Sequence, residues 1–410
     1  MKTRVLLITL IFLLALGLRE TAVRTMRTDF DEPVYFEAGL RYAGALREGD
    51  LARLVNDDFH AEHPGLVKLL YAAALFPYGR SPDALPDLPE LTELADLPPP
   101  LQPMTLSARR ASELFSLLHV LLLAAVSPAA GALLAIHTYT IKYTTQIYLE
   151  ALPMFTATVC VLAYIRAGKS SRKGREGDQE RKEERVFSWR SWRPSRSLRE
   201  PLLWWALSAV ALGLTAAGKY VYGVAGLAVA ADYSWRQVRP TFRGGLPLGV
   251  LTAWGGLALL VFYAANPYLW PDPLGRLGAS ILFHVNYTDS AIVASVGYPW
   301  YQPFVWLFRP MPALWHPGLF PVALDGVIAA AGLVGVWPAW RAWEGRGRVI
   351  VLWWGIGLAF LLLWGTKWPQ YSLIMTAPMC LCAGEALRWG WASVTGQLNK
   401  RTTDSHGFSG

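Results

Sequence analysis

Ten apolar stretches, separated by polar links, limit what this chain can become. They cover residues 4–18, 65–78, 112–136, 147–165, 202–218, 220–233, 246–266, 321–340, 349–366 and 369–388. About twenty residues of α-helix cross the ~30 Å of hydrocarbon in a bilayer, so runs of this kind read as membrane spans. Composition agrees: 53% of residues are hydrophobic and 17% charged, with 19 tryptophans in 410 residues, whereas soluble domains average roughly 25% charged residues. The expectation is an all-α polytopic membrane protein of about ten transmembrane helices, with the lipid bilayer as its surroundings and no soluble catalytic domain of conventional size.

Lys2 and Arg4 ahead of Val5–Leu18 also suit a signal peptide. The following Arg19-Glu-Thr-Ala-Val-Arg24 offers no small-x-small cleavage site, so a retained first helix is expected. Orientation follows from where Lys and Arg collect. Eleven lie between Lys169 and Arg199, others between Arg236 and Arg243, at Arg341, Arg346 and Arg348, and at Lys400 and Arg401. All four segments are expected on the cytoplasmic side. Residues 267–320 hold only Arg276 and Arg309 and belong outside, which by alternation places the loop 19–64 outside too. Arg19, Arg24 and Arg27 run against this rule, which suggests that they are kept for a ligand.

The net charge of +8 is thus topogenic, and no basic module with interleaved aromatics suggests a nucleic-acid partner. Cys160, Cys380 and Cys382 all fall in predicted spans, so no disulfide framework is indicated. The body is expected over 1–388 with a cytoplasmic tail at 389–410. Residues 167–200, mixed in charge and poor in apolar residues, read as a flexible linker. The proline-rich stretch 81–103 is not assigned to a side.

Chemistry is best sought in two clusters of the first outer loop. Arg27-Thr-Asp-Phe-Asp-Glu-Pro-Val-Tyr35 holds Asp29, Asp31 and Glu32, and Glu62-His-Pro-Gly-Leu-Val-Lys68 opens the next span. From Pro33 onward, Phe36, Leu40, Ala43 and Leu46 recur at helical spacing, predicting an interfacial helix with the acidic pair at its start. Such a pair reads as an N-cap or, with its pKa raised by burial and like charge, as a general base. Asp29-x-Asp31 has the spacing to share a hard divalent cation such as Mg or Mn, with Glu32, His60 and His63 as further ligands. His60-Ala-Glu-His63 lacks the i, i+4 histidines of a zinc hydrolase. Lys142, Glu150, Lys219, Asp325 and Lys367 lie at or inside the ends of spans, where ionisable groups are costly unless paired or facing a wet cavity.

These motifs, in order, resemble those of the GT-C glycosyltransferases that use polyprenyl-phosphate sugars, the protein O-mannosyltransferase and aminoarabinose transferase superfamily. Asp31-Glu32-Pro-Val-Tyr35 follows the first span. His63, Pro64, Leu66 and Lys68 match the family's HPPLGK, with Gly65 and Val67 departing from it. Tyr143-Thr-Thr-Gln-Ile-Tyr-Leu-Glu150, Ala217-Gly-Lys219-Tyr220 and Thr366-Lys367-Trp-Pro-Gln-Tyr371 are further similar elements. The resemblance implies a GT-C-like helical bundle that transfers a sugar, with inversion, from a polyprenyl-phosphate carrier to a glycan, lipid or protein acceptor on the outer face of a prokaryotic cytoplasmic membrane. It implies Asp31 as base and Glu32 as its partner. His63, Lys68, Lys219, Lys367 and Arg27 would contact the donor phosphate, and Tyr35, Glu62, Glu150 and Tyr371 would line the cavity. It leaves a cation at Asp29 and Asp31 open. The short loop 267–320 and the lack of a C-terminal outer domain favour a glycan or lipid acceptor. The rival reading is a transporter of lipid-linked sugars, against which stands the absence of inverted-repeat symmetry.

Overall fold

The computed structural model describes residues 2–79, 86–181, 196–238, 248–309, 324–345 and 347–395. Among these all regular secondary structure is helical, with no strand. In order come α1 (Lys2–Thr25), α2 (Glu32–Glu48), α3 (Leu51–Asn56), α4 (Gly65–Leu75), α5 (Leu101–Val126), α6 (Pro128–Ile136), α7 (Thr138–Thr145), α8 (Ala151–Arg181) and α9 (Arg196–Gly218). They are followed by α10 (Val224–Val238), α11 (Leu248–Ala264), α12 (Pro273–Tyr287), α13 (Ala291–Val296), α14 (Gln302–Phe308), α15 (Asp325–Gly345), α16 (Arg348–Leu363) and α17 (Thr376–Val394). Single 3-10 turns at Tyr220–Gly223 and Pro369–Met375 lead into α10 and α17.

Three helical stretches, Lys2–Thr25, Ala151–Gly168 and Glu200–Gly218, are long and apolar enough to cross a membrane. Gly65–Tyr78, Gly249–Ala264 and Arg348–Leu363 are apolar but shorter. This is an integral membrane protein whose main apolar cluster runs from α1 to α17, with smaller ones around Leu18, Ala22 and Ile141 and around Ala217, Phe262 and Leu269.

The expected spans survive unevenly. The stretch 112–136 is not one helix. Pro128 has no N–H to continue the ladder, so α5 stops at Val126 and α6 restarts with the Ser127 hydroxyl accepting from Ala130 N. His137 then caps α7, its ring nitrogen accepting from Thr140 N at 3.3 Å. The eleven residues of α4 rise only about 16 Å, so 65–78 falls short of the hydrocarbon thickness and α4 packs beneath α2 instead. Gly39 permits that approach: a Cβ there would lie 2.8 Å from Tyr71 Cβ.

The helix expected from Pro33 onward forms as α2, with Phe36, Leu40 and Ala43 buried and Leu46 exposed near its C-terminal end. In the expected flexible linker 167–200, the α8 backbone stays helical to Arg181 and α9 begins at Arg196. Lys, Arg, Glu and Gln are good helix formers, and a helix already nucleated in apolar sequence extends cheaply through them. Residues 182–195 of that linker, 310–323 of the outer loop and 396–410 of the tail lie outside the described residues.

The two ends of the bundle differ in charge. At one, Asp232 of α10 joins Tyr164 of α8 (2.7 Å), Arg236 (2.6 Å) and Arg348 of α16 (2.7 Å). At the other meet the end of α1, the starts of α2 and α8, the end of α9 and the turn before α17. The unassigned proline-rich stretch joins this second end: Thr28 N donates to Thr92 O (2.8 Å) and Leu91 N to Thr28 O (3.0 Å).

Candidate active site

The two carboxylates of the acidic pair have different fates. Glu32 is fully buried and wholly occupied. Arg109 of α5 grips it through Nε to Oε1 (2.9 Å) and Nη2 to Oε2 (2.7 Å), while Ile147 N (2.9 Å), Asp29 N (3.0 Å) and Gln146 Nε2 (3.3 Å) also donate to it. The same guanidinium donates to the carbonyls of Val23 (3.0 Å), Met26 (2.8 Å) and Arg27 (3.2 Å). Five donors in a rigid fork thus tie the end of α1, the 26–31 turn and the start of α2 to α5. A buried charge is tolerable only when paired and hydrogen-bonded, and here each charge satisfies the other. Glu32 orients the turn.

Asp31, one residue earlier, sits at the N-cap position of α2 but its side chain makes no capping bond. It is left half-buried beside Lys219, Lys142 and His60. Burial raises its carboxyl above the ordinary carboxylate range; Lys219 pulls the other way and Asp29 adds to the rise. Asp29 itself is engaged by Lys142, Nζ to Oδ2 at 2.8 Å.

Across from Asp31 lies a second buried pair. Glu150, fully buried ahead of α8, forms an ion pair through Oε1 with Lys219 Nζ. Its Oε2 is buried with no hydrogen-bond partner. Lys219 occupies the extended residue between α9 and the 3-10 turn, with φ −161° and ψ 122°. Its ammonium lies 5.0 Å from the centroid of the Tyr371 ring, a cation–π contact.

The third wall is the turn before α4. His60 takes a left-handed φ of 50°, a costly conformation for a non-glycine residue. Lys68 holds it there, donating to the carbonyls of Phe59 (2.8 Å) and His60 (2.7 Å). His60 Nδ1 lies 2.8 Å from Glu62 Oε1. Burial raises the Glu62 carboxyl but the bond to His60 and nearby cations outweigh it, leaving the pKa lowered. His63 is stacked edge-on against Tyr35, with centroids 5.7 Å apart, and lies 5.5 Å from the His284 ring of α12. Burial first, then Lys219 and His284, push its pKa well below the ordinary histidine value. It is a neutral imidazole at pH 7, a hydrogen-bonding group and not a cation.

The structure therefore brings together Asp31, Tyr35, Glu62, His63, Glu150, Lys219 and Tyr371, and sets three expected phosphate ligands apart. Lys68 braces the His60 turn. Lys367 donates to the carbonyls of Leu361 (2.7 Å), Leu362 (3.2 Å) and Trp364, closing the C-terminus of α16, where carbonyls lack partners and the helix dipole favours a cation. Arg27 is exposed and paired with Glu93 at 3.1 Å. The other two arginines that ran against the charge rule have local partners too. Arg19 is buried on Ser116 Oγ (2.7 Å) and the carbonyls of Ala135 and Leu134 (3.0 and 3.3 Å), and Arg24 pairs with Glu20. Asp325 accepts from Thr138 N and Oγ1, both at 2.9 Å, and so fixes the start of α7.

The Asp29–Asp31 pair does not suit a divalent cation. Lys142 already neutralises Asp29, and among the described residues no group of three or more His, Cys, Asp or Glu side chains is placed to hold a metal ion.

Sequence reasoning missed Arg109, Gln146 and His284. Arg109 had a signal, since a charged residue inside a helix that becomes apolar a few residues later is costly without a partner. Gln146 lay inside the Tyr143–Glu150 element without being singled out, and His284 had no signal, because its contact with the Glu62–His63 turn joins segments more than 200 residues apart.

No protein-family model and no curated protein sequence matches this chain. Solved structures do match its shape. The oligosaccharyltransferase of Archaeoglobus fulgidus, in its apo form, superposes with a TM-score of 0.56 over 99% of this chain and 52% of its own, at 11% identity. The S. cerevisiae protein O-mannosyltransferase Pmt1-Pmt2 complex bound to the sugar donor gives a TM-score of 0.40 over 67% of this chain and 34% of its own, at 15% identity. The chain spans about half the length of the oligosaccharyltransferase. The helical bundle thus shares its fold with that archaeal oligosaccharyltransferase over nearly the whole of this chain.

Proposed function

We propose that this protein is a membrane glycosyltransferase that moves a sugar from a polyprenyl-phosphate carrier to an acceptor on the outer face of the membrane, with Asp31 as general base. The observation that carries this reading is the state of the acidic pair. Glu32 is locked to Arg109, which frees Asp31 from any capping duty and leaves its carboxylate facing the Lys219–Glu150 pair. A base of raised pKa and a cation close by are what displacement at a phosphate-bearing carbon needs.

Asp31 takes the proton of the acceptor nucleophile. The acceptor forms its bond to the anomeric carbon as the bond from that carbon to the phosphate oxygen breaks, with inversion. The electron pair leaves on the polyprenyl phosphate, whose anion is met by Lys219, while neutral His63 supplies a hydrogen bond.

Purified protein given labelled polyprenyl-phosphate sugars and candidate acceptors is expected to transfer the label. Replacing the base, Asp31→Asn, is expected to lower the rate by about 10²–10⁴-fold. Undiminished transfer by that variant would remove the assignment.

A further inference from the structure

The segment read from sequence as a polar outer loop contains a helix built inside out. Along α12 and at its C-cap, Arg276, Ser280, His284 and Thr288, spaced four apart, face the protein, with Leu277 beside them packed on Phe262 and Leu269. Arg276 donates to the carbonyls of Val55 (2.5 Å) and Tyr268 (2.7 Å), Ser280 Oγ to Glu62 O (2.7 Å), and His284 Nε2 lies 3.2 Å from Glu62 O. The outward face carries Leu274 (84% exposed), Ile281 (54%), Leu282 (57%) and Val285 (55%). A helix on a water-facing surface shows the reverse pattern, apolar in and polar out.

Both ends of α12 are tied to the ends of apolar helices. Its start follows α11 through the turn at Pro267–Leu269, where Trp270 Nε1 bonds Tyr263 O at 2.9 Å. Its end reaches the turn after α16: Thr288 crowds Gly365, where a Cβ would lie 2.2 Å from Thr288 Cγ2, and the His284 ring is 6.3 Å from that of Trp364. The helix therefore runs about 22 Å across the bundle's end, from α11 to α16. The exposed leucines of those two helices, Leu259 and Leu260 on α11 and Leu363 on α16, continue its apolar face.

We infer that α12 lies flat in the outer membrane interface, with Leu274, Ile281, Leu282 and Val285 seated in lipid and its polar edge forming a wall of the Glu62–His63 turn. An apolar stripe of this length finds its solvent at the headgroup and acyl boundary. Exposed Trp270 near its start fits the same level, where amphipathic rings collect. The inference stands on geometry alone and does not depend on the transfer reaction.

The test places a nitroxide on single cysteines at 281, 282, 285 and 289, each exposed, in protein reconstituted into phospholipid nanodiscs. At 281, 282 and 285 relaxation by oxygen is expected to dominate and relaxation by a water-soluble nickel chelate to be lost. At 289 the nickel chelate should dominate. Nickel access at 281, 282 and 285 equal to that at 289 would overturn the inference and expose the stripe to a soluble partner. Spin–spin broadening between chains at 282 would overturn it in favour of a second copy.

Discussion

At the scale of single residues, the site is governed by which charges are already satisfied. Asp31 binds its proton more tightly in the folded protein than in the unfolded chain. Its stabilising contribution is therefore full below the unfolded carboxylate pKa of about 3.9 and is lost as pH rises through the higher folded value. At neutral pH its ionised form costs stability. Asp31→Asn is thus expected to raise the thermal midpoint of the detergent-solubilised protein while removing transfer, and a lowered midpoint would argue against a strained, functional carboxylate. In the wild type, kcat/KM is expected to fall on the acid side with a midpoint above the ordinary carboxylate range. Lys219 sits in the opposite situation. Lys219→Met strands a buried Glu150, at a cost of about 3–5 kcal/mol for an orphaned buried charge. The double variant Lys219→Met/Glu150→Gln should recover most of that stability but no activity, a split readable by thermal denaturation beside the transfer assay.

At the scale of elements, the decisive joint is Arg109 of α5 against the turn between α1 and α2. Lysine cannot reproduce a forked grip on a carboxylate and three carbonyls. Arg109→Lys is expected to loosen the 26–32 turn, rehydrate Asp31 and move the acid limb of the pH–rate profile to lower pH, along with lowering kcat. A purely structural role would lower the amount of folded protein without moving that limb. Gly39→Ala, which forces α2 off Tyr71 of α4, is expected to destabilise by roughly 1–3 kcal/mol as overpacking, measured by thermal denaturation. How far such elements were legible depended on the physics behind each. The α2 helix announced itself through Pro33 and the stripe Phe36, Leu40, Ala43. The α5–α6 break was equally written, in Ser127-Pro128, but hydropathy averaged over a window does not register a missing N–H. The duties of Lys68 and Lys367 were not legible, since a lysine near a span end looks the same whether its ammonium meets a phosphate or a backbone carbonyl.

At the scale of the molecule, the apolar runs made the all-helical membrane body evident, and the five ordered motifs pointed to the GT-C fold. The number of crossings was less accessible, because α4 is apolar without being long and the stretch 267–309 folds into helices whose outward faces are apolar. Segregation of charge along the bundle carries the topology. Asp31 and the Asp232–Arg236–Arg348 cluster occupy opposite ends, so single cysteines at positions 31 and 341 are expected to react with a membrane-impermeant maleimide from opposite sides of sealed vesicles; labelling of both from the same side would overturn that placement. One further property follows from the Lys219–Glu150 pair. Because the lysine arrives already neutralised, the resting pocket exerts little long-range pull on soluble phosphate, and an inorganic ion must displace Glu150 to gain a cation. A carrier held in the bilayer meets the same demand at a far higher effective concentration. On the proposed reading the pair would work as a filter, indifferent to the abundant phosphates of the medium and open to the scarce one tethered beside it.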